Sequence, residues 1–174
     1  MDIPRSVVSF LSSRGLVLAT AESCTGGMIA SLIADVPGSG ACLDVGIVVY
    51  SPSGKTGLLK VSPQTIEEHG LTSEEVAREM ATGALALEAS SAHIAVSNTG
   101  LAGPPPGGTD LPPGTQCFAW RYKSRDGEYM FSETRAFDGD RTTIRRSAAL
   151  YALSRIEHYF NQLPNARRDA SASD

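Results

Sequence analysis

The stretch Ala21-Glu22-Ser23-Cys24-Thr25-Gly26-Gly27 lies between two apolar segments and decides the fold. Residues 16–21 predict a buried strand that runs into it, and residues 25–36 predict a helix that leaves it. The stretch therefore joins the carboxyl end of a strand to the amino end of a helix. Free N–H groups and the positive helix dipole at that point favour a bound anion or a developing oxyanion.

Small polar side chains in this turn are candidates for chemistry. Ser23, Cys24 and Thr25 can attack or hydrogen-bond a ligand, and Gly26 and Gly27 let it approach the backbone closely. A structural interpretation is also open, with Thr25 as the helix N-cap and the glycines needed for packing.

Composition narrows the class of protein. The 174 residues are 41% hydrophobic with a net charge of -4, which predicts one soluble domain without a basic surface for nucleic acid or anionic membranes. Three scattered cysteines predict neither a disulfide framework nor a zinc site and fit a reducing, cytoplasmic location. We expect no signal peptide and no membrane span.

The order of the elements predicts an α/β protein. Three strand–helix units precede a hairpin over 116–136 and a last helix that Asp138 or Asp140 caps. This order predicts a three-layer α/β/α sandwich with a mixed, mostly parallel sheet. We expect a single domain over 1–163 and a disordered tail over 164–174.

Three polar loops are expected to meet at one edge of that sheet. They are the turn 23–27, the segment 51–55 and the proline- and glycine-rich loop 99–115. Ligands of such sheets bind at the carboxyl ends of the strands, so the convergence predicts a site.

Lys55 is the candidate base at this edge. The sequence has no G-x-S-x-G, Walker or H-E-x-x-H motif and no well-placed histidine. A lysine just after a buried strand can lose solvation, become neutral and accept a proton from serine. The alternative is an ordinary solvated lysine at a helix start.

Arg141 is the candidate anion-binding residue. It stands in the first turn of the last helix, where the dipole disfavours a cation unless an anion is bound there. The alternative is an ion pair with Asp138, Asp140 or Glu133.

Together these segments resemble the CinA carboxyl-terminal domain family. The resemblance covers about residues 7–159 and rests on these motifs: Ala21-Glu22-Ser23-Cys24-Thr25-Gly26-Gly27, Asp35-Val36-Pro37-Gly38-Ser39, Tyr50-Ser51-x-x-x-Lys55, Thr99-Gly100-Leu101-Ala102-Gly103-Pro104 and Phe137-x-Gly139-Asp140-Arg141. It implies hydrolysis of nicotinamide mononucleotide to nicotinate mononucleotide and ammonia, with no metal and no cofactor.

The resemblance also implies residue roles. Ser23 would be the nucleophile and Lys55 its base, with Tyr50 beside them as a third catalytic residue. The substrate-binding residues would be Thr25, Gly26, Gly27, Thr99, Gly100, Gly103 and Arg141.

Three departures from the family pattern fall at this site. Pro52 replaces an asparagine, Pro105 and Pro106 replace glycines, and Leu111 stands where lysine is common. Because these changes remove donors and fix backbone angles, a second hypothesis is a weak or inactive homologue that binds a nucleotide or a partner. A reactive Cys24 thiol is a further alternative, and a Rossmann oxidoreductase is disfavoured because G-x-G-x-x-G is absent.

The expected partners are a small nucleotide substrate and further copies of the chain. The helix over 25–36 is apolar nearly all round, which predicts a homodimer or a higher homo-oligomer.

Overall fold

The computed structural model describes residues 2–104 and 109–164. The helices and strands follow in this order: α1 (Ile3–Ser13), β1 (Leu18–Glu22), α2 (Met28–Ala34), β2 (Leu43–Val48), α3 (Pro52–Leu59), α4 (Pro63–His69), α5 (Glu74–Leu85), β3 (Ile94–Gly100), β4 (Thr115–Ser124), β5 (Gly127–Ala136), α6 (Arg141–Ser154) and α7 (Ile156–Phe160). A short 3₁₀ turn at Ser39–Ala41 precedes β2. No helix in the described ranges is long and apolar enough to cross a membrane.

One five-stranded sheet orders the chain as β2-β1-β3-β4-β5. Strands β2, β1 and β3 are parallel, whereas β4 and β5 continue the sheet antiparallel. Helices cover both faces, so the predicted mixed sheet and α/β/α layering are confirmed.

Each face of the sheet carries its own core. Helices α1, α2, α6 and α7 bury one face against bulky residues such as Phe118 and Trp120. Helices α3 and α5 bury the other against small strand residues such as Ala19, Ala95 and Ala119. Helix α5 packs on this face against β1, β3 and β4.

Two predicted helices have different bounds in the structure. Helix α2 begins at Met28, not at residue 25, because Gly26 and Gly27 have φ values of 59° and 91°, outside the helical region. The last predicted helix is two helices, α6 and α7, separated at Arg155. Asp140, not Asp138, caps α6 by accepting from Thr143 N.

The predicted tail over 164–174 lies outside the described residues from 165 onward.

Candidate active site

Ser23 follows β1 directly and is held at the sheet edge. Its N–H donates to the carbonyl oxygen of Asn98 on neighbouring β3 at 2.9 Å, and the residue is only 8% exposed. The hydroxyl is thus fixed at the carboxyl end of the parallel strands, where ligands of such sheets bind.

Lys55 reaches Ser23 from the other neighbouring strand. Helix α3 begins after β2 with Ser51 as N-cap and Pro52 in its first turn, and Lys55 follows, 1% exposed. Its Nζ donates to Ser23 Oγ at 2.8 Å and to the carbonyl oxygens of Val49 and Tyr50 at 2.9 and 3.3 Å. The alternative of a solvated lysine is wrong, because the loop between β2 and α3 folds over the side chain.

The surroundings of Lys55 suit a neutral amine. Burial lowers the pKa of its ammonium to about 8, and the interaction with Cys24 opposes this shift. A neutral amine can donate its two hydrogens to Val49 and Tyr50 and aim its lone pair at the Ser23 hydroxyl. The same three contacts serve the protonated form, so the group can take up and return a proton without moving.

The side chain of Glu22, the last residue of β1, lies at the N-terminal end of helix α2. Its fully buried carboxylate accepts from the N–H groups of Ile29 and Ala30 at 3.0 and 2.9 Å, and from Thr20 Oγ1 at 3.0 Å. The Ile29 and Ala30 N–H groups are therefore not available to the predicted oxyanion, which leaves donors earlier in the turn. A carboxylate of the chain itself already satisfies the helix terminus.

The turn before α2 keeps two other donors free. Within residues 2–104 and 109–164, the N–H groups of Cys24 and Gly27 have no hydrogen-bond acceptor. The N–H groups of Thr25 and Gly26 are used, by Asn98 Oδ1 and by the Ser23 carbonyl. A donor next to the nucleophile in the chain is well placed for an oxyanion.

Thr25 does not cap the helix. Gly27 is the N-cap, and the Thr25 hydroxyl is fully buried without a hydrogen-bond partner in the described part of the chain. The structural alternative for Thr25 is therefore wrong.

Cys24 points into the protein. Its Sγ accepts from Gln116 Nε2 at 3.4 Å, and burial raises the pKa of the thiol above 9.0. Since the thiolate is the nucleophile, the geometry disfavours a reactive Cys24.

Arg141 stands at the open side of the site. Its Nη2 donates to Tyr50 Oη at 2.7 Å, and both side chains are exposed. The predicted alternative of an ion pair with Asp138, Asp140 or Glu133 is wrong among the described residues: Asp140 caps α6, and Glu133 binds Arg135 and Arg155. A Cβ at Gly103 would lie 3.9 Å from Arg141 Nη1, which brings the loop after β3 beside the guanidinium.

Thr99 and Gly100 were predicted to bind substrate, but both lie against other residues of the protein. The Thr99 hydroxyl donates to the Leu71 carbonyl at 2.8 Å, and a side chain at Gly100 would overlap Gln116. These contacts fix where the 99–103 loop leaves the sheet.

The residues that depart from the family pattern do not share one environment. Pro52 lies in the first turn of α3, where its missing N–H has no helical partner to lose. Leu111 is 37% exposed. Pro105 and Pro106 lie outside the described residues.

Four positioning groups were missed in the sequence: Glu22, Asn98, Gln116 and Arg145. The helical spacing could have predicted Arg145, because it lies four residues after Arg141 and therefore on the same side of α6. No cluster of three or more metal-ligating side chains occurs in the ranges 2–104 and 109–164.

Comparisons with known proteins cover nearly the whole chain. A profile of the CinA C-terminal domain matches residues 1–160. A putative competence-damage inducible protein of Symbiobacterium thermophilum is 42% identical over 90% of this chain, which spans 38% of that relative. Nicotinamide-nucleotide amidohydrolase PncC of Escherichia coli K12 is 40% identical over 93% of this chain and 95% of its own length. The crystal structure of competence damage-inducible protein A (ComA) of Klebsiella pneumoniae matches with a TM-score of 0.84 at 34% identity, over 91% of this chain and 95% of that one.

Proposed function

This chain belongs to the CinA C-terminal domain family, and we propose that it hydrolyses the amide of nicotinamide mononucleotide to nicotinate mononucleotide and ammonia. A curated relative of matching length carries the name nicotinamide-nucleotide amidohydrolase. The single observation that supports the proposal most is the 2.8 Å contact between Lys55 Nζ and Ser23 Oγ.

The proposed first half-reaction forms an acyl-enzyme. Neutral Lys55 takes the hydroxyl proton as Ser23 Oγ bonds to the amide carbon, and the carbonyl oxygen becomes an oxyanion. The free N–H groups of Cys24 and Gly27 are the donors we assign to that oxyanion. Protonated Lys55 then gives its proton to the leaving nitrogen, the carbon–nitrogen bond breaks and ammonia departs.

The second half-reaction uses water. Lys55 takes a proton from water as the water oxygen bonds to the acyl carbon, and the proton returns to Ser23 Oγ as the ester bond breaks. Atoms balance, since one amide and one water give one carboxylic acid and one ammonia.

Charge around the site fits an anionic nucleotide. Arg141 and Arg145 supply positive charge beside the turn, while the nearest buried carboxylate, Glu22, is engaged by three donors. We assign Arg141 and Tyr50 to the substrate because their side chains are exposed beside the reactive pair.

The test is ammonia release from nicotinamide mononucleotide. Wild type and the control Ser31→Ala, which alters an exposed serine of α2, should both release ammonia. Ser23→Ala and Lys55→Met should each lower kcat on the order of 10³-fold or more. Equal rates in wild type and Ser23→Ala would contradict the proposal.

A second candidate is a nucleotide-binding homologue without turnover. It is favoured by Leu111, which offers no charge where the family pattern has lysine. Thermal stabilisation by nicotinamide mononucleotide with no ammonia released would support this candidate over the enzyme.

We propose that copies of the chain associate. Helix α2 leaves Met28 and Leu32 only half-buried, and Val48 on edge strand β2 is 51% exposed. Light scattering that gives a monomer mass at assay concentration would contradict this assembly.

We also propose a cytoplasmic location. Cys24, Cys42 and Cys117 are all free and buried, and free thiols persist in a reducing compartment. A cell-fractionation experiment that finds the protein outside the cytoplasm would contradict this.

A further inference from the structure

Helix α6 holds the turn before α2 through one side chain. Arg145 donates from Nε to the Cys24 carbonyl and from Nη2 to the Thr25 carbonyl, both at 2.9 Å. Its guanidinium lies against Gly26, where a Cβ would come within 2.8 Å of Nη2. A planar fork of donors suits two neighbouring carbonyls in a way that a single ammonium does not.

The other ends of the same peptide groups are fixed as well. The Thr25 N–H donates to Asn98 Oδ1 at 3.1 Å, and the Gly26 N–H donates to the Ser23 carbonyl at 3.0 Å. Since a peptide group is planar, a bond at each end sets the direction of the whole plane. The peptides 24–25 and 25–26 are therefore both locked. Arg145 binds the carbonyl of each, and the Thr25 carbonyl also accepts from the Met28 N–H at 3.2 Å.

The two donors that stay free lie on either side of the locked peptides. The Cys24 N–H belongs to the preceding 23–24 peptide, whose carbonyl accepts from Gly26, and the Gly27 N–H belongs to the following 26–27 peptide; neither has an acceptor within residues 2–104 and 109–164. We propose that Arg145 is a positioning residue for the oxyanion donors, acting through the turn without touching Ser23 or Lys55. This inference rests on the proposed amidohydrolase function and deepens it.

Kinetics of Arg145 variants test the inference. Arg146, the next residue, is exposed on α6, so Arg146→Gln is a control with the same loss of charge. Arg145→Gln should lower kcat for nicotinamide mononucleotide about 10²-fold, as loss of an oxyanion donor does, while KM changes less than about 3-fold. Arg145→Lys keeps a cationic donor but replaces the two nitrogens of the planar fork with one, so it should lose less than Arg145→Gln.

Amide hydrogen exchange tests the lock without any activity. The Thr25 and Gly26 N–H groups should exchange at least about 10-fold faster in Arg145→Gln than in wild type or Arg146→Gln. Equal protection in the three proteins would overturn the inference, as would a kcat of Arg145→Gln equal to that of Arg146→Gln. If Arg145→Gln does not fold, Arg145→Lys gives the same two readouts.

The two proposals fail differently. If wild type and Arg146→Gln both release no ammonia, the proposed function is wrong, and exchange still decides whether Arg145 locks the turn. If both are active and Arg145→Gln matches them, only the role of Arg145 is wrong.

Discussion

Replacing Lys55 with methionine should remove a pH-dependent contribution to the stability of the fold. The side chain is 1% exposed, and burial lowers the pKa of its ammonium to about 8 from an ordinary value of 10.5. Methionine fills similar space with no charge, so the comparison isolates the cost of burying the ammonium.

The sign follows from proton binding. Between the two pKa values the unfolded chain holds a proton at Lys55 that the folded chain has released. The free energy of unfolding therefore rises with pH in this window, and the penalty is largest below about pH 8. Each pKa unit corresponds to about 1.4 kcal/mol. From about pH 7 to about pH 9.5, wild type should gain about 2 kcal/mol relative to Lys55→Met.

Urea unfolding measures this difference directly. Trp120 is the single tryptophan and is fully buried, so its fluorescence reports global unfolding. The variant also loses the hydrogen bonds to the Val49 and Tyr50 carbonyls. This loss adds a constant to the difference in unfolding free energy between the two proteins, so it does not affect how that difference changes with pH. Ser23→Ala keeps the buried ammonium and should follow the wild-type slope. A difference between wild type and Lys55→Met that does not change with pH would refute the reasoning.

Three further predictions concern the pH dependence of catalysis, the buried Glu22 side chain and the packing of α5. Because the base must be neutral, kcat/KM should rise with pH to a midpoint near the Lys55 pKa of about 8 and then level off; a flat profile would remove Lys55 as the base. Glu22→Ala leaves three donors without an acceptor, two of them buried, and should lower the free energy of unfolding by on the order of 3 kcal/mol, measured in urea. Gly83→Ala places a Cβ into the Leu59 carbonyl and should cost about 2–3 kcal/mol. The control Gly57→Ala lies on the exposed side of α3, where the new Cβ meets nothing within 4 Å, and should gain up to about 1 kcal/mol. Equal melting temperatures for the two alanine variants would contradict the packing argument.

Local patterns predicted the succession of strands and helices and made Ser23 and Lys55 candidates for the site. The apolar run 16–21 and the hairpin pattern over 116–136 predicted strands, and Asp140 was one of two residues expected to cap the last helix. Polar residues after buried strands pointed to Ser23 and Lys55 because parallel strands end at one edge. Such signals depend only on neighbours in the chain, so they can be read without the fold.

The pairing of Ser23 with Lys55 also has a simple origin in the sheet. Strands β1 and β2 are parallel neighbours, with Glu22 paired to Val48. Each strand ends at that pair, so Ser23 on one and the Val49 and Tyr50 carbonyls on the other emerge side by side. The sequence predicted a mixed sheet with parallel strands, but the order of the strands and this register came from the structure.

What the sequence determined by itself was the layered α/β architecture and a polar edge that carries Ser23 and Lys55. Tertiary structure alone decided that Glu22, not a ligand, satisfies the start of α2, and that Arg145 reaches the turn from a helix more than a hundred residues away. The physical reason is that a buried hydrogen bond needs a partner, but the local sequence does not say which distant group the packing will bring to it.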